Sequence, residues 1–138
     1  MNKLYVLDAC ALIAFLTNER GADLVESALI EAINGIANIR MNKLNLLEVY
    51  YGDYRAHGKE AANEMLDIVR NLPIIIISEL ADKVFEEAGR LKASYKMSLA
   101  DAIALAETSV CSGAVLTADH HEFDIVEQNE NINFQWIR

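Results

Sequence analysis

Leu4-Tyr5-Val6-Leu7-Asp8 is the stretch on which the fold turns. A short apolar run reads as a buried strand and stops at a carboxylate. Residues 9–17, Ala-Cys-Ala-Leu-Ile-Ala-Phe-Leu-Thr, follow as an apolar helix candidate. The same order returns near the far end of the chain. There Ala114-Val115-Leu116-Thr117 reads as a strand and Asp119 comes almost immediately after it. In an open parallel sheet, ligands bind outside the carboxyl ends of the strands. Asp8 and Asp119 are therefore expected at one shared end.

Working outward, strands and helices alternate. Residues 22–34 place Val25, Ala28, Leu29, Ala32 and Ile33 on one helical face, and Asn34-Gly35 supplies a stop. Ile36 to Arg40 is a short strand candidate. Residues 43–56 look helical and end at His57-Gly58, and a further helix covers 59–71. Pro73 opens the β-branched run Ile74 to Ile77, a buried strand by composition. Ser78 is a candidate cap for a helix over 79–95 whose face carries Leu80, Val84, Ala88, Leu91 and Tyr95. Ser98 starts a nearly all-apolar helix to Cys111, expected to be central and buried. A short helical piece follows Asp119, and Ile132 to Trp136 reads as an edge strand. The alternation favours a parallel sheet covered on both faces.

Composition narrows the class. The chain has 138 residues, 53% of them apolar and 24% charged, which fits one folded domain and excludes a disordered chain. With one proline and no linker-like segment, residues 1–138 read as a single domain. No apolar run reaches the ~18 residues of a membrane span, and Met1-Asn2-Lys3 does not open a signal peptide. Cys10 and Cys111 lack metal or redox spacing and read as small buried side chains in a reducing, cytoplasmic compartment. A net charge of −9 argues against non-specific nucleic-acid binding through a basic surface. It favours a basic protein partner, or an acidic pocket that works with bound cations.

Asp8, Glu48, Asp101 and Asp119 are the candidate functional residues. Each has a bland alternative. Asp8 and Asp119 suit helix N-caps or turns. Glu48 shares a helical face with Asn45, three residues earlier, and suits a solvated face. Ser98-Leu99-Ala100-Asp101 resembles a capping box with Asp in place of Glu. Gathered together, however, such carboxylates repel: at ~5 Å and an effective dielectric of ~20, each pair costs roughly 3 kcal/mol. A divalent cation is the simplest agent that makes the cluster tolerable.

The ordered set is more specific than its members. Val6-Leu7-Asp8-Ala9-Cys10-Ala11-Leu12, Asn45-Leu46-Leu47-Glu48, Ser98-Leu99-Ala100-Asp101-Ala102 and Leu116-Thr117-Ala118-Asp119, with Phe123 beyond, resemble the PIN-domain family along essentially the whole chain. Their order and spacing resemble the ribonuclease toxins of VapBC-type toxin–antitoxin modules. The resemblance implies a three-layer α/β/α sandwich with a mainly parallel central sheet. It also implies Mg²⁺- or Mn²⁺-dependent cleavage of RNA, an antitoxin partner and a homodimer. Asp8, Glu48, Asp101 and Asp119 would be the catalytic, metal-binding set. Asn45 and Thr117 match supporting polar positions; Asp124, which by itself mostly reads as surface, would be an extra acid near the site. Cys10 departs from the pattern, since a hydroxyl residue is common there.

Other residues read more plainly. His57, His120 and His121 are not catalytic choices, because the metal-assisted route needs no protein nucleophile, and His120-His121 suits an exposed turn. Arg90 to Lys96 is the best basic cluster, a solvated helix end before an RNA contact. Tyr50, Tyr51 and Tyr54 suit packing before base stacking. Two rival functions remain: a non-catalytic protein-binding module, against which the intact acids argue, and a phosphotransfer receiver domain. The receiver reading lacks a phospho-acceptor Asp after strand 74–77, which ends in Ser78-Glu79, and a lysine after Thr117.

Overall fold

The computed structural model describes residues 2–138; Met1, which the single-domain reading includes, lies outside them. Strand β1 (Lys3–Leu7) leads through helices α1 (Ala9–Leu16) and α2 (Ala22–Ile33) to β2 (Ala37–Asn42). Helices α3 (Lys43–His57) and α4 (Lys59–Arg70) connect to β3 (Ile75–Ile77). Then come α5 (Asp82–Ser94), α6 (Leu99–Cys111), β4 (Ala114–Thr117), α7 (His120–Asn129) and β5 (Asn133–Trp136). The five strands lie in the order β3-β2-β1-β4-β5, and every neighbouring pair is parallel. From β1 the chain builds outward to β2 and β3, then returns to place β4 and β5 on the other side. The order therefore reverses between β1 and β4, where the carboxyl ends open a crevice.

Two apolar layers clothe the sheet, as the alternation of strand side chains requires. Leu116 packs with Leu7, Ile39 and Met41 against Ala11, Leu12, Val25, Val49 and Val69 of α1 to α4. Its neighbour Val115 points the other way, into Val84, Leu91, Ile103, Leu105, Phe123 and Val126 of α5 to α7. Burying a Leu or Phe of this kind fully contributes ~1.5–3 kcal/mol. Gly113 sets the turn into β4, because a Cβ there would lie 2.8 Å from the Leu4 carbonyl oxygen of β1. Only a glycine lets that turn sit against the strand.

Several boundaries differ from the sequence reading. The run Ile74 to Ile77 is not a buried strand: β3 begins at Ile75 on an edge of the sheet, with Ile75 half exposed. Composition reports β-branching but not place in the sheet. Ser78 does not cap a helix, since α5 starts at Asp82 after Ala81, which makes no side-chain cap bond. Leu80 consequently lies outside the helix and is exposed. Strand β2 runs two residues further than expected, to Asn42, whose side chain then caps α3 by accepting from the Leu44 N–H at 2.9 Å. His120 and His121 do not occupy a turn but open α7, a helix of 10 residues. Both cysteines are free and half-buried rather than buried.

Candidate functional site

Asp8 leaves β1 and its carboxylate accepts from the Ala11 N–H at 2.8 Å, capping α1. The capping role anticipated for it is real, and it coexists with almost complete burial, 2% exposed. Desolvation, before any other cause, pushes its pKa up to about 7. The Thr117 hydroxyl and the Ala11 N–H oppose that rise, while the charges of Asp101 and Asp119 add to it. Thr117, buried at the end of β4, is the bridge. Its oxygen accepts from the Asp119 N–H at 3.1 Å while its hydroxyl serves Asp8.

Asp119 caps α7, accepting from the Glu122 N–H at 3.2 Å. Asp101 lies in the first turn of α6, where Ser98 Oγ accepts from its N–H at 3.1 Å. Burial, before any other cause, raises its pKa; hydrogen bonds from the Ser98 side chain and backbone oppose the rise, and the charges of Asp119 and Glu122 add to it. Glu48 on α3 is half-buried; burial raises its pKa first and the Asp101 charge second. Asp101 is thus the hub. Its charge reaches Asp8 and Glu48, and it feels that of Asp119.

Asn45 fastens α3 to this hub. Its Nδ2 donates to the Ala100 carbonyl at 3.0 Å, one residue before Asp101. Its Oδ1 is buried and has no hydrogen-bond partner. An orphaned buried acceptor carries a desolvation cost of ~1–3 kcal/mol unless something serves it. An all-oxygen set of carboxylates plus an amide oxygen suits a hard divalent cation. As they stand, no three His, Cys, Asp or Glu side chains among the described residues approach closely enough to hold one ion together.

Asp124 does not join the pocket. It is 56% exposed and its carboxylate lies 2.8 Å from His120 Nδ1. His120 Nε2 meets the Arg138 carbonyl at 2.9 Å, and its ring stacks on Trp136 at 3.7 Å. A carbonyl only accepts, so Nε2 carries a proton. Asp124, then the carbonyl, holds the imidazole pKa above its ordinary value. Glu122, which the sequence does not single out, adds its charge to those bearing on Asp101. The remaining residues follow their plainer readings. His57 pairs with Asp53 at 2.8 Å, Tyr50 donates to Asn63 across α3 and α4, and Arg90 is held by Glu87 and Glu130, each at 2.6 Å. Half-buried Cys10 feels the Asp8 and Asp119 charges and bonds the Ala118 backbone. Away from the acids, a largely apolar groove of about 520 Å³ runs between α1, α3 and α4.

Comparison with known proteins agrees with this fold. The chain superposes on VapBC2 from Rickettsia felis, bound to a promoter DNA fragment, with a TM-score of 0.74. The identity is 17%, over 96% of this chain and 98% of that one. DNA-bound VapBC from Salmonella typhimurium gives 0.73 at 14% identity, over 100% of both chains. VapC20 of Mycobacterium tuberculosis, a toxin that cleaves the sarcin–ricin loop, gives 0.62 at 15%, over 88% and 94%. At such identities these likenesses establish the fold. No curated protein sequence matches significantly. The PIN domain pattern matches residues 5–128, a span that takes in all four acids, and the chain belongs to the PIN-domain family.

Proposed function

We propose that the chain is a single-domain, Mg²⁺- or Mn²⁺-dependent endoribonuclease, the toxin of a toxin–antitoxin pair. The observation that carries this reading is the mutual charge coupling of Asp8, Glu48, Asp101 and Asp119, which come from four separate elements. These four residues would hold the ion, with Asn45 Oδ1 and Thr117 in support. When bound, a divalent ion supplies Lewis acidity and a water of lowered pKa, the means of hydrolysing a phosphodiester. Thr117 and the α1 cap fix the orientation of Asp8, and Ser98 fixes that of Asp101. The family membership and the toxin among its structural neighbours support RNA as the substrate.

The partner reading rests on the toxin–antitoxin neighbours and on the groove between α1, α3 and α4. Ile13, Leu16, Val49, Met65 and Ile68 line it, and Asp53 and Glu64 add negative charge. An amphipathic helix with a basic flank suits that surface on a chain of net charge −9. No helix among the described residues is long and apolar enough to cross a membrane, in keeping with a cytoplasmic site of action. The test is cleavage of a structured RNA by the purified chain. Cleavage with Mn²⁺, its loss with chelator, and its loss in Asp8→Asn and Asp101→Asn variants that keep the wild-type circular dichroism are expected. Full activity in both variants would sink the proposal.

A further inference from the structure

We infer that the stacked rings of His120 and Trp136 form a platform on which a base of single-stranded RNA stacks at the lip of the proposed cleavage site. The inference rests on the ribonuclease reading above and names a substrate contact that the acids do not provide. A series of rings runs outward from the core. Buried Phe123 meets Phe134 at 5.8 Å between centroids, and Phe134 lies nearly parallel to Trp136 at 5.4 Å. Trp136 in turn carries His120 at 3.7 Å, with 12° between the ring planes. His120 ends the series with its side chain 47% exposed. Both of its ring nitrogens are engaged, Nδ1 with Asp124 at 2.8 Å and Nε2 with the Arg138 carbonyl at 2.9 Å. One face of the imidazole lies on Trp136, so the opposite face is the aromatic surface left open.

The register of the sheet sets this stack beside the crevice. Trp136 of β5 is aligned with Thr117 of β4, and the Ile137 N–H donates to the Thr117 carbonyl at 3.0 Å. Thr117 is the residue whose hydroxyl serves Asp8, and His120 directly follows Asp119 in the chain. An RNA strand whose phosphodiester reached these acids would pass a neighbouring base over His120. Stacking suits this chain in particular. A net charge of −9 offers little attraction for phosphates. Base-on-ring stacking does not need a basic surface and accepts every base, since each has a π face. The two hydrogen bonds fix the imidazole before RNA arrives, so little side-chain freedom is lost on binding. His121 provides the contrast: its side chain is 93% exposed, and no ring among the described residues stacks on it.

The experiment is anisotropy titration of a dye-labelled, single-stranded RNA oligonucleotide with the full chain in chelator, for wild type, His120→Ala, His120→Phe and His121→Ala. Circular dichroism confirms that each is folded. Loss of one stacking ring weakens binding about 5- to 100-fold, so His120→Ala should fall in that range. His120→Phe should recover most of the affinity, and His121→Ala should stay within about twofold of wild type. Trp136 is the sole tryptophan, so its fluorescence reports the platform directly. Unlabelled RNA should quench it, and an abasic oligomer with the same phosphates should not. Wild-type affinity in His120→Ala overturns the inference. So does equal weakening in His120→Ala and His121→Ala, because that would report charge and not stacking, and so does a Trp136 emission that RNA leaves unchanged. None of these results touches the nuclease reading, which stands on cleavage with Mn²⁺ and its loss in Asp8→Asn. A wild type that cleaves RNA with Mn²⁺ but binds none in chelator removes the platform alone. One that neither binds nor cleaves RNA removes both.

Discussion

Asp8 carries opposing demands. It is a helix cap, a buried charge and a proposed metal ligand, and its folded pKa of about 7 records the conflict. The sign of the linkage follows. Between its ordinary value of 3.8 and about 7, the folded chain holds a proton that the unfolded chain has lost. Stability from this group is fully present below the unfolded value and is lost as pH rises through 7. The gap corresponds to about 4 kcal/mol at most. Asp8→Asn keeps a good capping side chain and removes the charge. Without divalent ion it should therefore melt several degrees above wild type at pH 8 and close to it at pH 4, while losing RNA cleavage. Thermal melts across that range check this. A wild-type pH slope that persists in Asp8→Asn would assign the titration to another group. The sequence made Asp8 legible because strand and carboxylate adjoin. At Asp124 its plainer reading as surface fits the helix, whose face is unknown until its first residue is. Once α7 starts at His120, the residue three past Asp119 shares its face, and the one five past has turned towards solvent and His120.

At the scale of elements, three of the four acids sit in the first turn or N-cap of a helix: Asp8 before α1, Asp101 in α6 and Asp119 before α7. Capping is therefore compatible with the proposed chemistry, and the bland readings of these residues are not rivals to the functional ones. Helix N-termini ease the retention of negative charge when no ion is present. Ser98→Ala tests this coupling. It removes the α6 cap, with an expected loss of ~0.5–2 kcal/mol in denaturant unfolding. It also removes a hydrogen bond that draws the Asp101 pKa down, so that pKa should rise further in carbon-detected NMR titration. An unchanged Asp101 titration would separate the cap from the site. The edge position of β3 and the late start of α5 were not legible, and for a physical reason. Ile75-Ile76-Ile77 states a preference for extended backbone, whereas strand order depends on where each helix finds a layer to cover.

Across the whole molecule, strand order reverses between β1 and β4, where the acids are proposed to act together, and two of the apolar surfaces among the described residues lie away from that crevice. One is the groove between α1, α3 and α4. The other gathers Leu44 and Leu47 of α3 with Leu80 of the loop before α5 around a hollow of about 310 Å³. All three leucines are exposed, and Leu47 adjoins Glu48. The first surface suits an acid-seeking, basic partner helix. The second has Lys43 and Glu79 at its border, one of each sign, and we propose it as the contact of a homodimer, in which the second copy's border presents the same pair. A charge in each surface should therefore do different harm. Leu47→Glu should convert a dimer to a monomer in light scattering at micromolar concentration and leave capture by the antitoxin intact. Ile68→Glu should leave the dimer intact and release the antitoxin, and replacing basic residues of the antitoxin should weaken its inhibition of cleavage. A desolvated, unpaired carboxylate costs several kcal/mol, ample to break either contact. A wild-type chain that scatters as a monomer would remove the dimer proposal, and antitoxin capture unaffected by Ile68→Glu would move the partner off the groove.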